Sequence, residues 1–189
     1  VVTTNYTLVT ATDSKGCTNL QSKSVTILVN QLPNVDVTAT NSQVCEQDAT
    51  DLVFDFTAGV GPWKVYFKEN NINTVVNFTN ANAAMNITPA TTTTYNIDSV
   101  SDINCTAIIA DVLTVTVNPI PEVTLSGGGD ACDDGSLVDV VFTTVSGTPT
   151  FDIEYAVGIN DKLVSNVGPN YVLKTKEAGA YTLRKVTDN

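Results

Sequence analysis

The residues best equipped to do chemistry in this chain are its carboxylates and its four cysteines. The densest acidic stretch is Asp130-Ala131-Cys132-Asp133-Asp134-Gly135. Carboxylates are hard oxygen donors, and calcium is the ion that such donors suit. The stretch lacks the alternating Asp-x-Asp-x-Gly spacing of a calcium loop, and the matching segment Cys45-Glu46-Gln47-Asp48 keeps only part of it. Asp130, Asp133 and Asp134 are therefore weak calcium candidates beside the plainer reading of a solvated acidic turn, and no other cofactor is indicated. Asp13, Asp102 and Asp188 each precede a turn. Turn chemistry alone accounts for Asp there, because its side chain accepts hydrogen bonds from nearby backbone N–H groups.

Catalysis has little to stand on. The 189 residues include no histidine, which removes the commonest general base and the commonest transition-metal ligand. There is no nucleophile elbow, no Cys/His pair and no phosphate loop. Gly127-Gly128-Gly129 runs into an acidic turn rather than a helix, and Asp152 and Glu154 alternate along a strand as a wetted face does. An enzyme is not expected. Nine Lys+Arg against 20 Asp+Glu give a net charge of −11 with no basic run, which argues against nucleic acid and anionic membrane surfaces as partners. No apolar run approaches the ~20 residues of a membrane-spanning helix, so no membrane insertion is expected.

The elements that must position these residues are strands. Thr, Val and Asn dominate, and β-branched side chains are stiff at χ1 and suit a pleated surface better than a helix. With 42% hydrophobic residues the chain can fill a core, while only 15% are charged, so solubility rests on hydroxyls and amides. That balance is common on secreted β proteins.

An internal repeat sets the organisation. Val25-Thr26-Ile27-Leu28-Val29-Asn30-Gln31-Leu32-Pro33 answers Leu113-Thr114-Val115-Thr116-Val117-Asn118-Pro119-Ile120-Pro121, with Asn30 and Asn118 separated by 88. Tyr6, Tyr95 and Tyr181 follow at 89 and 86, Cys17 and Cys105 at 88, Cys45 and Cys132 at 87, and Phe56 and Phe142 at 86. A period this long is a small domain, not a solenoid unit. The expected frame is residues 1–31 as the last strands of one unit, 32–119 as a complete unit, and 120–189 as a unit without its last strand. Inside 32–119, alternating runs separated by turn signals predict strands at 35–40, 52–57, 63–67, 74–78, 84–87, 94–100 and up to 117. Phe54 and Phe56 share one face, and Trp63, Val65 and Phe67 point inward. Seven strands in about 88 residues predict an all-β fold of tandem antiparallel Greek-key sandwiches.

Particular motifs sharpen this. Glu177-Ala178-Gly179-Ala180-Tyr181-Thr182-Leu183 resembles the acidic-x-Gly-x-Tyr-x-Cys signature of immunoglobulin strand F, with Leu183 in place of the cysteine, and Trp63 stands where the strand C tryptophan would. Tyr95 and Tyr181 would then be tyrosine-corner residues. Tyr6…Asp13-Ser14-Lys15-Gly16-Cys17, Tyr95…Asp102-Ile103-Asn104-Cys105 and Asn118-Pro119-Ile120-Pro121 resemble the Ig-like and PKD-like repeats of large Bacteroidota cell-surface adhesins, including gliding-motility adhesins exported by the type IX system. The second motif has Asn for Gly, and Asn30-Gln31-Leu32-Pro33 lacks the first proline. The resemblance implies an extracellular, cell-surface protein whose repeats form a structural stalk holding a distal adhesive region away from the cell. Its partners would be neighbouring repeats and a surface polysaccharide or protein. A carbohydrate- or protein-binding module is the alternative, for which Tyr66, Tyr155 and Tyr171 are the candidate contact aromatics. Asp98-Ser99-Val100 resembles a Bacteroidota O-glycosylation motif and makes Ser99 a candidate site. Formal N-glycosylation sequons at Asn5, Asn77, Asn86 and Asn104 are what chance gives in a chain rich in Asn and Thr.

Four cysteines in a secreted-looking β protein suggest disulfides. The repeat allows Cys45–Cys105 inside one unit, Cys17–Cys45 with Cys105–Cys132 across units, or free thiols. Cys105 opens a strand of about a dozen residues, which places it roughly 35–40 Å from the junction with the next unit. That distance favours Cys45–Cys105, leaving Cys17 and Cys132 without partners here.

Overall fold

The computed structural model describes residues 2–188; Val1 and Asn189, the second of which follows the last Tyr…Asp landmark, lie outside the described residues. The fold is all-β, with sixteen strands and no helix among the described residues. By internal contacts the chain divides into two compact units. One holds the residues up to Thr40 together with Thr50–Ile87 and Thr93–Thr114; the other holds Asn41–Ala49, Thr88–Thr92 and the residues from Val115 onward.

The first unit opens with a hairpin of β1 (Thr4–Thr12) and β2 (Thr18–Ile27), hydrogen-bonded only to each other. Its alternating apolar residues are bare: Tyr6 is 60% and Leu8 51% exposed. An antiparallel sheet follows in the order β3 (Asn34–Ala39), β5 (Thr50–Ala58), β8 (Asn82–Ile87). Strands β6 (Trp63–Glu69), β7 (Ile72–Phe78) and β9 (Thr93–Ser101) belong to another sheet, with β6 between β7 and β9. The period of two decides which residues form the core. Leu52, Phe54 and Phe56 of β5, Trp63, Val65 and Phe67 of β6, and Tyr95, Ile97 and Val100 of β9 are all buried. Rings interlock between the two sheets: Phe54 lies 6.4 Å from Phe67 and 4.6 Å from Phe78, and Phe56 stacks on Trp63 at 4.7 Å. Faces that interleave in this way bury one side of each sheet. Asn70 and Asn71, both with positive φ, form the two-residue turn between β6 and β7, where Asn tolerates the left-handed conformation.

β10 (Thr106–Asn118) lies beside β9, and its last residues pair in parallel with β4 (Gln43–Cys45), Val117 opposite Val44 and Asn118 opposite Cys45. The expected strands are thus all present, some with longer ends. β4 is the addition: three residues are too few to display a period.

The second unit also contains two three-stranded sheets. One runs β11 (Glu122–Gly127), β12 (Val138–Ser146), β15 (Tyr171–Thr175), and the other runs β14 (Asn160–Val167), β13 (Phe151–Val157), β16 (Tyr181–Asp188). Val123, Val140 and Phe142 from the first pack with Phe151, Ile153, Tyr155 and Val157 from the second. Phe142 meets the Tyr155 ring edge-on at 5.3 Å.

Phe54 is fully buried and central to the ring cluster. Phe54→Ala should cost about 3–5 kcal/mol. A urea titration would read this as a lower midpoint at unchanged slope, and a loss below about 1 kcal/mol would mean the cluster is not the core.

Candidate functional site

Polar side chains converge most clearly at the turns marked by the recurring aspartates. Asp102 ends β9, and both of its oxygens are engaged. Oδ1 accepts from the backbone N–H of Asn104 at 2.7 Å and of Cys105 at 2.6 Å, closing the turn into β10. Oδ2 accepts from the N–H of Val60 at 2.9 Å, 42 residues away in the turn between β5 and β6. Gly59, beside Val60, has φ +97°, and a Cβ there would lie 2.8 Å from Asp102 Oδ2 and 2.9 Å from Pro33 Cβ. Only glycine lets the three segments come so close.

The device recurs. In the second unit Asp188 Oδ2 accepts from Thr148 N–H at 2.9 Å, and Gly147, at φ +105°, would place a Cβ 2.9 Å from Pro121. Pro33, Gly59 and Val60 correspond to Pro121, Gly147 and Thr148 at a uniform spacing of 88. In the β1–β2 hairpin, Asp13 Oδ1 accepts from the N–H of Lys15 and of Cys17, both at 2.9 Å, the same turn one residue longer. Turn chemistry explains Oδ1. The second oxygen's reach to a distant loop carries no sequence signal, although the paired recurrence of Gly and Asp hints at it.

Burial works to raise the Asp102 carboxyl, but the hydrogen bonds from Val60, Asn104 and Cys105 outweigh it and hold the group below its ordinary value. The group is acceptor-only as carboxylate, so what these atoms do is tie backbone to backbone.

The four cysteines are free thiols: Cys17, Cys45 and Cys132 are exposed, and Cys105 is half-buried. The expected Cys45–Cys105 bond is not formed. Cys45 is registered against Asn118, at the end of β10, whereas Cys105 immediately precedes that strand's start. Thirteen residues of strand separate Cys105 from Asn118, roughly 43 Å, against the ~7 Å that a disulfide tolerates between Cα atoms. The expectation failed because it needed β4 to lie near the start of β10, and β4 instead runs parallel to its end.

The acidic stretch does not assemble a cage. Among the described residues no three His, Cys, Asp or Glu side chains group as metal ligands. Asp134 Oδ1 accepts from Ser136 N–H at 2.9 Å, and these bonds to Ser136 hold its carboxyl low. Asp130 and Asp133 are exposed. Ser99 sits half-buried within β9, opposite Tyr66 of β6. Of the candidate contact aromatics, Tyr155 is core, its hydroxyl raised by burial and then by Tyr181 and Tyr171, while Tyr66 and Tyr171 are half-buried. None of the three is fully exposed.

Tyr181 behaves as a tyrosine-corner residue: its hydroxyl donates to the Glu177 carbonyl, four residues upstream, at 3.0 Å. Tyr95 does not. Its hydroxyl faces Glu69 Oε1 at 3.4 Å, and burial, with the Glu69 charge, pushes its pKa up to about 12. The Trp63 indole N–H, also buried, has no acceptor among the described residues.

Compared with known proteins, the chain matches no family model and no curated sequence.

Two measurements check this geometry. The Asp102 carboxyl is lower in the folded state than in the unfolded chain, where it titrates near 3.9. Its contribution is complete above about pH 5 and is lost as pH falls through the folded value. Asp102→Ala should therefore lower the urea midpoint more at pH 7 than at pH 2.5, and an equal loss at both would remove the charge from the account. Brief maleimide labelling of the native chain should modify Cys17, Cys45 and Cys132 before Cys105, with four labels after denaturation without reductant; fewer than four would reveal a bond.

Proposed function

We propose that the chain is a stretch of tandem immunoglobulin-like β-sandwiches, with 32–119 one complete copy, 1–31 the last strands of another and 120–189 a third without its last strand. We infer that it serves as a stalk segment of an extracellular, repetitive cell-surface adhesin, of the kind seen in Bacteroidota gliding adhesins. The observation that carries the repeat is the aspartate clasp, which uses the same three loop positions 88 residues apart.

Several features support a structural role. The polar side chains that converge most clearly do so on backbone N–H groups of their own chain. Proline at 33, 119 and 121 fixes φ in the joining segments and limits their bending. A net charge of −11 keeps such strands soluble and discourages edge-to-edge association. Ladder hydrogen bonds and ring-packed cores are the parts that would bear tension.

Single-molecule stretching of the full-length protein tests the reading. Each copy of about 88 residues should open in one step that lengthens the chain by about 28 nm, from roughly 3.6 Å per residue less the folded length. One concerted event for the whole array, or increments with no common length, would overturn the bead-like organisation.

A further inference from the structure

The edge of β7 lacks the guard that the edges of the second unit carry. β7 is the last strand of its sheet, beyond β6, and it lies far from either end of the chain. No Asp, Glu, Lys or Arg occurs between Glu69 and Asp98, so the strand is without charge, and it is without proline. Ile72 is 70% and Val75 49% exposed. A bare edge invites another strand, and natural sheets blunt such edges with charges. The two three-stranded sheets of the second unit follow that rule: β11 carries Glu122, β14 Asp161 and Lys162, β15 Lys174, and β16 Arg184 and Lys185. Asp161 and Lys162 stand 88 residues after Asn73 and Thr74, so the equivalent strand has the charges that β7 lacks. β8, the uncharged edge of the sheet it shares with β3 and β5, exposes no large apolar side chain.

The backbone decides which groups face that edge. The Asn70-Asn71 turn is closed by the Glu69–Ile72 pair. A two-residue turn closes on a hydrogen-bonded pair, and bonded and non-bonded pairs then alternate along the ladder. Ile72, Thr74, Val76 and Phe78 therefore turn their N–H and C=O toward β6, while Asn73, Val75 and Asn77 turn theirs outward. Among the described residues no strand lies beyond them. The strand's own sequence says what fits there. Read about Val75, it places Val75 opposite itself, Thr74 opposite Val76, Asn73 opposite Asn77 and Ile72 opposite Phe78. An antiparallel pair with a two-fold axis at Val75 thus sets amide against amide and β-branched against β-branched. The outward backbone groups of one copy meet those of the other, and each side chain keeps its face of the sheet. Lys68 and Lys64 of β6 stand opposite Asn73 and Asn77. Three strand spacings, about 14 Å, would separate Lys68 from the second copy's Lys64, beyond the ~10 Å over which charges interact at 0.1 M salt. Lys68 is also bridged to Asp98 at 2.8 Å.

We propose that the edge of β7 is a self-association site whose partner is a second copy of this chain. The two β7 strands pair antiparallel about Val75 through main-chain hydrogen bonds, joining two five-stranded sheets into one. The net charge of −11 on each copy opposes association over the rest of the surface, and the uncharged stretch around β7 is where two copies can meet. The proposal goes beyond the stalk reading and does not rest on it.

Sedimentation of the 189-residue chain under reducing conditions, over a range of concentrations, should show a monomer–dimer equilibrium. Added salt should tighten it, because salt screens the like net charges. Hydrogen exchange at high against low concentration should slow at the amides of Asn73, Val75 and Asn77 and stay unchanged in β14. Val75→Lys should weaken dimerisation at least ~10-fold without changing the melting temperature of the dilute chain, whereas Leu163→Lys, at the equivalent place on β14, should leave dimerisation as it was. Asn73→Lys, on an exposed side chain, repeats the test in case Val75→Lys disturbs the fold. A chain that stays monomeric up to about 1 mM would overturn the site. So would protection at β8, at β16 or in the β1–β2 hairpin in place of β7, association that weakens with salt, or undiminished dimerisation of the folded Lys variants of β7. Any of these results would leave the stretching measurement free to judge the stalk reading separately.

Discussion

The burial of one strand depends on the strand beside it, and the three repeat-related tyrosines display that dependence in sequence. In the lone hairpin Tyr6 is 60% exposed. In the second unit, with two sheets present but no strand beyond β16, Tyr181 is half-buried. Where β10 completes the sheet, Tyr95 is fully buried. The residue type is the same in all three places and an aliphatic residue, Leu8, Ile97 or Leu183, stands two positions on; the burial differs with the strands that lie alongside. Fully burying a large aliphatic or aromatic side chain contributes roughly 1.5–3 kcal/mol. Three such residues on one strand thus represent a driving force comparable to the whole stability of a small domain. A two-stranded ribbon cannot reach that value alone, since an isolated hairpin is marginal in water.

The same dependence decides what could be read before the fold was known. Alternation placed Phe54, Phe56, Trp63, Val65 and Phe67 correctly, because a strand with one face in a core imposes period two on its sequence. At Asn70-Asn71 residue type and backbone agree, since both residues take the positive φ that Asn tolerates. What escaped was pairing between distant segments. β4 is too short to alternate, and its parallel partnership with the end of β10 follows from chain path, which composition does not encode. The disulfide expectation failed on that one fact. Tyr95 and Tyr181 occupy equivalent sequence positions, yet only Tyr181 caps a carbonyl, because Glu69 stands over the Tyr95 hydroxyl.

The aspartate clasp combines local and long-range chemistry in one side chain. Oδ1 performs a turn function that any Asp-initiated turn supplies, which is why Asp13 does the same in the isolated hairpin. Oδ2 adds a contact that exists only when the loop before β6 or β13 has folded against it. The carboxylate therefore couples turn formation to sandwich closure, and removing it leaves several N–H donors to find water or go unpaired. The geometry also explains the glycine. A Cβ at Gly59 would meet Asp102 and Pro33, and one at Gly147 would meet Phe151 and Pro121, so each loop needs its glycine.

This use of polar groups bears directly on function. The structure commits Asp13, Asp102, Asp134 and Asp188 to backbone amides, and the surface ion pairs, such as Lys174–Asp139 and Lys185–Glu154, are solvent-exposed and contribute little. Asp102, whose carboxylate accepts three backbone hydrogen bonds, is held ionised and immobile, the opposite of the poised, titrating group that acid–base work requires. Those carboxylates and the core rings are thus engaged within the fold, holding loops and sheets together. On the stalk reading proposed above, these fixed clasps and packed rings are the parts that would hold each copy closed under load.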